Sequence, residues 1–251
     1  MRITSCGMTD VGMRRTHNED NFLINDDMRL YVVCDGMGGH VGGEVASAIA
    51  IHTLEETFST ISINSADVAA GADLVDISKE QLRFAVRLAG KRIHETAQQE
   101  RRYMGMGTTC LALFVNERHG FMAHVGDSRG YLLRDGEIEQ ITEDHSLVNE
   151  RIRAGLLTPE EAQTHKMKNV ITRSLGFNEE VEVDVDMRPA KVNDTWVLCS
   201  DGLSNYIETE EINEIVLANS PQESTRKLIN LACERGGDDN ITVVVVRLDA
   251  A

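Results

Sequence analysis

Four aspartates stand at the margins of short apolar runs, and no other feature of this sequence is better placed to do chemistry. Asp35 closes LYVVC, Asp127 follows MAHVG, Asp201 follows TWVLCS, and Asp239 comes just before the run that begins at Ile241. An acid at the end of a buried strand is held by a fixed backbone, so acids from several strands can be brought rigidly to one site. Asp35 and Asp201 are each followed by glycine and Asp127 is preceded by Gly126. Glycine lets backbone approach an ion or a phosphate closely. Crowded carboxylates repel one another unless cations intervene, and an all-oxygen donor set suits hard ions such as Mg²⁺ or Mn²⁺. Zinc is disfavoured, because His and Cys are not clustered at ligand spacing. Taken singly, each Asp-Gly pair is also ordinary turn composition. Convergence must therefore come from the fold.

The elements that would position these acids are readable as buried strands over Leu30 to Cys34, Cys110 to Val115, Phe121 to Val125, Thr195 to Cys199 and Ile241 to Leu248. Helical spacing is clearest from Ser78 to Met104, where Leu82, Ala85, Ala89, Ile93 and Ala97 recur every three or four residues. Further helices are expected from Gly43 to about Ser59, Leu147 to Ala154, Pro159 to His165, Glu210 to Asn219 and Pro221 to Arg235. Pro159 and Pro221 fall near first-turn positions, where a missing N–H costs little. Strands come in neighbouring pairs rather than in strict alternation with helices, which favours antiparallel sheets flanked by helices, an α+β class. Ile61 to Ile77 is the one plausible linker, and one large domain over 1–251 is expected from the length of 251 residues.

The net charge of −16 argues against a nucleic-acid backbone or an anionic membrane as the main partner, since both reward clustered Lys and Arg. The five cysteines lie far apart, without C-x-x-C knuckles or a paired pattern, and fit reduced thiols in the cytoplasm. The N-terminus lacks a continuous apolar core of a signal peptide, and no run approaches the ~20 apolar residues needed to span a bilayer.

The strings RRTHNEDN at 14–21, VVCDGMGGHVGGEVAS at 32–47, GMGTT at 105–109, AHVGDSRGYLLRDG at 123–136, TEDHSLV at 142–148, LCSDGLSN at 198–205 and GGDDNITVVVV at 236–246 resemble, in order, the type 2C family of metal-dependent protein phosphatases, its compact bacterial branch in particular. The resemblance implies a four-layer α-β-β-α sandwich with two central antiparallel sheets and metals at one edge. It implies hydrolysis of phosphoserine and phosphothreonine on proteins by a hydroxide held between two Mn²⁺ or Mg²⁺ ions. Asp35 is implied as the bridging ligand, with the Gly36 carbonyl completing the second ion's set and Asp201 and Asp239 holding the first. Asp20 and Glu19 would act largely through water, and Asp127, again with Asp201, would hold a third ion. Asp238 would be only a neighbour. Arg15, five residues before Asp20, stands where the family carries its phosphate-binding arginine, while Arg14 is the exposed alternative. Met37 occupies the place of the histidine that animal members use as general acid. His40 matches the bacterial pattern and is read either as that acid or as a helix-start residue, with water as the other proton source. Residues 146–176 match a variable flap expected to shape substrate choice. Phosphoprotein substrates, an opposing serine/threonine kinase and a monomeric state complete the expectation.

Competing chemistries fail on spacing. Cys34, Cys110 and Cys199 have no arginine six places on, so the cysteine-phosphatase loop is absent. Asp184-Val185-Asp186 has the aspartyl-nucleophile form but lacks the following Thr or Val, and reads as a solvated strand edge. In GMGGHVGG the third fingerprint position is Val41, against a dinucleotide site. A phosphatase fold that has lost its chemistry is opposed by the presence of Asp20, Asp35, Asp127, Asp201 and Asp239 together.

Overall fold

Two five-stranded antiparallel sheets lie face to face in the computed structural model, which describes residues 1–38, 42–60 and 74–250. The first sheet runs, edge to edge, β1 (Arg2–Asp10), β12 (Ile241–Asp249), β11 (Thr195–Cys199), β8 (Arg129–Arg134) and β9 (Glu137–Gln140). The second runs β10 (Asp184–Pro189), β7 (His119–Val125), β6 (Cys110–Val115), β3 (Leu30–Cys34) and β2 (Asn21–Asn25). A short pair, β4 (Gly36–Met37) and β5 (Gly107–Thr108), stands beside them.

Strand periodicity explains the layers. In β3, Leu30, Val32 and Cys34 face α1 (Gly42–Thr60) and α2 (Leu74–Gln99), packing with Leu54, Leu82 and Ile93. Tyr31 and Val33 point the other way, into an apolar layer shared with Trp196 and Leu198 of β11 and Val244 and Val246 of β12. Val243 and Val245, on the far face of β12, meet Leu203 of α5 (Asp201–Ser204), Ile212 of α6 (Thr209–Ala218) and Leu228 of α7 (Pro221–Glu234). Both sheets are thus apolar on two faces, which is why their central strands read as continuous rather than alternating apolar runs. Each such side chain, once fully buried, contributes about 1.5–3 kcal/mol. The expected four-layer sandwich is the observed one.

Boundaries differ where local geometry intervenes. The helix expected from Ser78 begins at Leu74 and stops at Gln99, because Glu100 turns extended (φ −121°, ψ 106°) before a 3₁₀ turn over Arg101–Tyr103. Of the expected linker, residues 74–77 are helical and residues 61–73 lie outside the described residues. Strands β1, β2, β8 and β9 went unseen in the sequence because they carry polar residues or glycines, and β10 is legible there only as the solvated edge at Asp184 to Asp186. The β1 strand owes its place to pairing along its whole length with β12. The segment between β9 and β10 carries α3 (Leu147–Arg153) and α4 (Pro159–Gln163), the latter opened by a Thr158–Glu161 capping box and Pro159 as its sequence suggested. Among the described residues no helix is long and apolar enough to cross a membrane.

Candidate active site

Strand register brings the acids together. Asn21 pairs with Cys34, so the start of β2 and the end of β3 lie at one end of the second sheet. Cys199 pairs with both Val243 and Arg129, so the end of β11, the start of β12 and the start of β8 share an end of the first. Asp20, Asp35, Asp127, Asp201 and Asp239 each lie one or two residues beyond one of these strand ends. They converge closely enough that Asp20, Asp201, Asp127 and Asp239 all act electrostatically on Asp35.

Short polar side chains hold each acid's backbone. Asp35 N–H donates to Thr109 Oγ1 (2.9 Å), and its carbonyl accepts from Thr109 N–H (2.8 Å) and Thr108 Oγ1 (2.9 Å). Thr109 Oγ1 also shares a hydrogen bond with Ser128 Oγ (2.8 Å), linking the Asp35 strand end to the turn that carries Asp127. Gly36 N–H donates to the Glu19 carbonyl (3.2 Å), and a Cβ at Gly36 would stand 2.2 Å from the Gly43 carbonyl oxygen, so only glycine fits this approach. The Glu19 carboxylate lies against the Gly43 N–H at the start of α1, where helix N–H groups favour an anion.

Asp20 is buried between the two sheets' loops. Its Oδ2 accepts from Ser200 Oγ (2.8 Å) and Thr242 Oγ1 (2.7 Å), while its Oδ1 has no hydrogen-bond partner among the described residues. Burial pushes the Asp20 carboxyl up to about 7, against the pull of the two hydroxyls and with help from Asp201 and Asp239. Burial followed by the surrounding carboxylates drives Asp35 well above the usual carboxylate range. Asp127 is raised to about 7 by burial and then by Asp201, and Asp201 is raised by burial and Asp239. Asp201 Oδ2 accepts from Asn205 (3.2 Å), and its buried Oδ1 has no hydrogen-bond partner among the described residues. Buried carboxylate oxygens that repel one another and lack donors fit divalent cations, and an oxygen-only donor set fits Mg²⁺ or Mn²⁺.

Arg15 Nη2 pairs with Asp239 Oδ2 at 2.8 Å, at half-exposed positions beside the cluster. Arg14 is largely exposed and meets Asp238 at 3.5 Å, and Asp238 also accepts from Tyr206. Asp238 is exposed beside Asp239. His40 lies outside the described residues. Asp184 and Asp186 stand on the edge strand β10 as expected, but Asp184 is more than a solvated acid: it pairs with His145 and Arg173. A cavity of about 400 Å³ connects Asp127 and Asp201 with Asp144, Asn149, Lys168 and Glu208, so residues of the 146–176 segment line the approach to the acids.

Sequence reading overlooked Thr109, Ser128, Ser200, Asn240 and Thr242. Their signal was present, since each lies within three residues of one of the acids or, for Thr109, opposite Asp35 in the GMGTT string. Ser and Thr are too common for that adjacency to have meaning before the pairing is known.

Residues 13–237 match the sequence profile of the family Protein phosphatase 2C. The chain is 39% identical over 246 residues to protein phosphatase PhpP of Streptococcus pneumoniae, covering 96% of each chain. It is 39% identical to the serine/threonine phosphatase stp of Listeria monocytogenes, covering 96% of this chain and 94% of that one. The crystal structure of the Mycobacterium tuberculosis serine/threonine phosphatase PstP/Ppp superposes with a TM-score of 0.88 at 39% identity, over 99% of both chains. A structure of the PstP catalytic domain in complex with two manganese ions superposes with a TM-score of 0.86 at 38% identity, again over 99% of both chains.

Proposed function

The chain belongs to the protein phosphatase 2C family, and from that premise we propose that its converging aspartates are the metal centre of a protein serine/threonine phosphatase. It hydrolyses phosphoserine and phosphothreonine in phosphoproteins and depends on Mn²⁺ or Mg²⁺. The observation that carries the site assignment is that five aspartates from five chain segments surround one another, with two buried oxygens that no donor among the described residues reaches.

In this reading Asp35 bridges two cations, the Gly36 carbonyl completes one set, and Asp201 and Asp239 complete the other. Asp20 and Glu19 act through water, and Asp127 with Asp201 takes a third ion. When bound, such ions supply a water of lowered pKa and neutralise charge on the phosphoryl oxygens. The protein's own part is to hold the donors still. Thr108 and Thr109 fix Asp35, Ser200 and Thr242 orient Asp20, and Asp239 anchors Arg15, whose planar fork is suited to two phosphate oxygens.

We read residues 1–251 as one catalytic domain with a flap over 146–176 that borders the substrate approach. The strongly acidic charge and widely spaced cysteines support a cytoplasmic protein with neither nucleic acid nor membrane as partner, and the family resemblance adds a monomeric state and an opposing serine/threonine kinase. Calorimetric Mn²⁺ titration of wild type, Asp35→Asn and Asp201→Asn tests the ligand set. Both variants should lose the tight phase, and wild-type binding in either would refute its assigned role.

A further inference from the structure

The turn that carries Asp127 is gripped by one residue from the edge of the flap. Gly126 N–H donates to His145 Nδ1 at 3.0 Å, and His145 N–H donates to the Gly126 carbonyl at 2.9 Å. Gly126 has φ +112°, and a Cβ there would stand 2.6 Å from the Thr109 side chain, so this peptide is wedged against the residue that also holds Asp35. Both peptide groups flanking the Gly126 α-carbon therefore depend on His145.

The hydrogen-bond directions fix the ring. An N–H can donate to Nδ1 only if that nitrogen carries a lone pair, which places the neutral imidazole's proton on Nε2. Nε2 stands 2.8 Å from Asp184 Oδ2, and Arg173 Nη1 donates to the same oxygen at 3.1 Å. The ring is buried and stacked on His124, with centroids 4.7 Å apart and planes 15° apart. Burial holds the His145 imidazole below its ordinary range, in keeping with a neutral ring. Burial opposes ionisation of Asp184, but the His145 hydrogen bond and Arg173 outweigh it and hold the carboxyl below its usual range. His124, His145 and Asp184 also offer ligand atoms within 4.8 Å of one another. With Nδ1 accepting from Gly126 and Nε2 protonated, His145 has no lone pair left for a cation, so it links Gly126 to Asp184 in a hydrogen-bond chain while His124 only stacks on its ring.

We propose that His145 is a positioning residue for the Asp127 site, set by Asp184 and Arg173 so that its Nδ1 holds the Gly126 peptide and thereby aims the Asp127 carboxylate. The inference rests on the reading of Asp127 as a third-cation ligand. It also couples that ligand to the flap, because Thr172 N–H donates to the His145 carbonyl (2.8 Å) one residue before Arg173.

Two near-isosteres separate the halves of the chain. Asparagine at 145 places a carboxamide oxygen near the position of Nδ1, whereas glutamine reaches toward the position of Nε2. Mn²⁺ binding to the full chain is measured by calorimetry for wild type, Asp127→Asn, His145→Asn, His145→Gln and Asp184→Ala, with thermal unfolding of each. Asp127→Asn and His145→Gln should weaken the lower-affinity phase by about 10–100-fold, His145→Asn should stay near wild type, and Asp184→Ala should weaken the same phase. Wild-type binding by Asp127→Asn would overturn the Asp127 assignment and this inference with it. Impaired Asp127→Asn beside wild-type His145→Gln, or His145→Asn as impaired as His145→Gln, would overturn the inference alone. If His145→Gln fails to fold, a wild-type lower-affinity phase in Asp184→Ala, whose position is half-exposed, is the overturning result.

Discussion

The side-chain oxygen of Asn240 accepts a hydrogen bond from the backbone N–H of Glu19 at 2.8 Å, so the residue just before β12 in one sheet holds the loop that leads into β2 of the other. The Asn240 amide also donates to the carbonyls of Val11 and His17, each at 3.0 Å, and the residue is buried. One side chain thus sets the course of the loop bearing Arg15, Glu19 and Asp20. Asn240→Ala removes three hydrogen bonds at about 1 kcal/mol each. A destabilisation of about 3 kcal/mol by urea denaturation is expected, together with weaker Mn²⁺ binding. A change within about 0.5 kcal/mol would show that the loop is held by other contacts.

Metal-free protein should lose stability as pH rises, and metal should restore it. Asp20 has a folded-state pKa of about 7 against 3.8 ordinarily. The folded chain therefore keeps a proton that the unfolded chain gives up, so this stabilisation is complete below about 4 and is lost as pH climbs through about 7. For Asp20 alone the change is of order 4 kcal/mol, and Asp127, also at about 7, adds in the same direction. The rise in Tm on adding Mn²⁺ should be larger near pH 8 than near pH 5. An equal rise at both would contradict burial of these crowded carboxylates as the source.

Arg15→Ala should raise KM for a phosphothreonine peptide by about tenfold or more, the loss of one bidentate charged contact, with a smaller effect on the Mn²⁺ midpoint. Because Arg15 pairs with Asp239 at a half-exposed position, its removal leaves one more unneutralised carboxylate, and Mn²⁺ affinity should not fall. An unchanged KM would end the phosphate-binding assignment.

His40→Ala tests the proton donor. If His40 protonates the leaving serine or threonine oxygen, kcat should fall by about 10²-fold with the Mn²⁺ response intact. Full retention of kcat would assign that proton to water.

The layers were legible in the sequence because runs such as LYVVC and ITVVVV are buried on both faces and need partners on each. The strand ends were legible too, and with them the aspartates. Their convergence was not, since nothing in a single chain states that Asn21 lies opposite Cys34 or that Cys199 lies opposite both Val243 and Arg129. The polar strands were harder to read for a related reason: β1 takes its form from pairing with β12 rather than from its own composition, and of β10 only the Asp184 to Asp186 edge stood out. The His145–Asp184 link spans 39 residues and joins the TEDHS string to a segment read as a solvated edge, a relation that only tertiary structure supplies.

The central claim is that phosphate release requires both a divalent cation and the carboxylates that crowd around Asp35. Release from a phosphothreonine peptide should be followed for wild type with Mn²⁺ and with EDTA, and for Asp35→Asn and Asp201→Asn with Mn²⁺, all confirmed folded by thermal unfolding. The account expects release only from wild type with Mn²⁺, with each variant reduced by more than about 100-fold. Full activity of Asp35→Asn, or wild-type activity undiminished in EDTA, would contradict it.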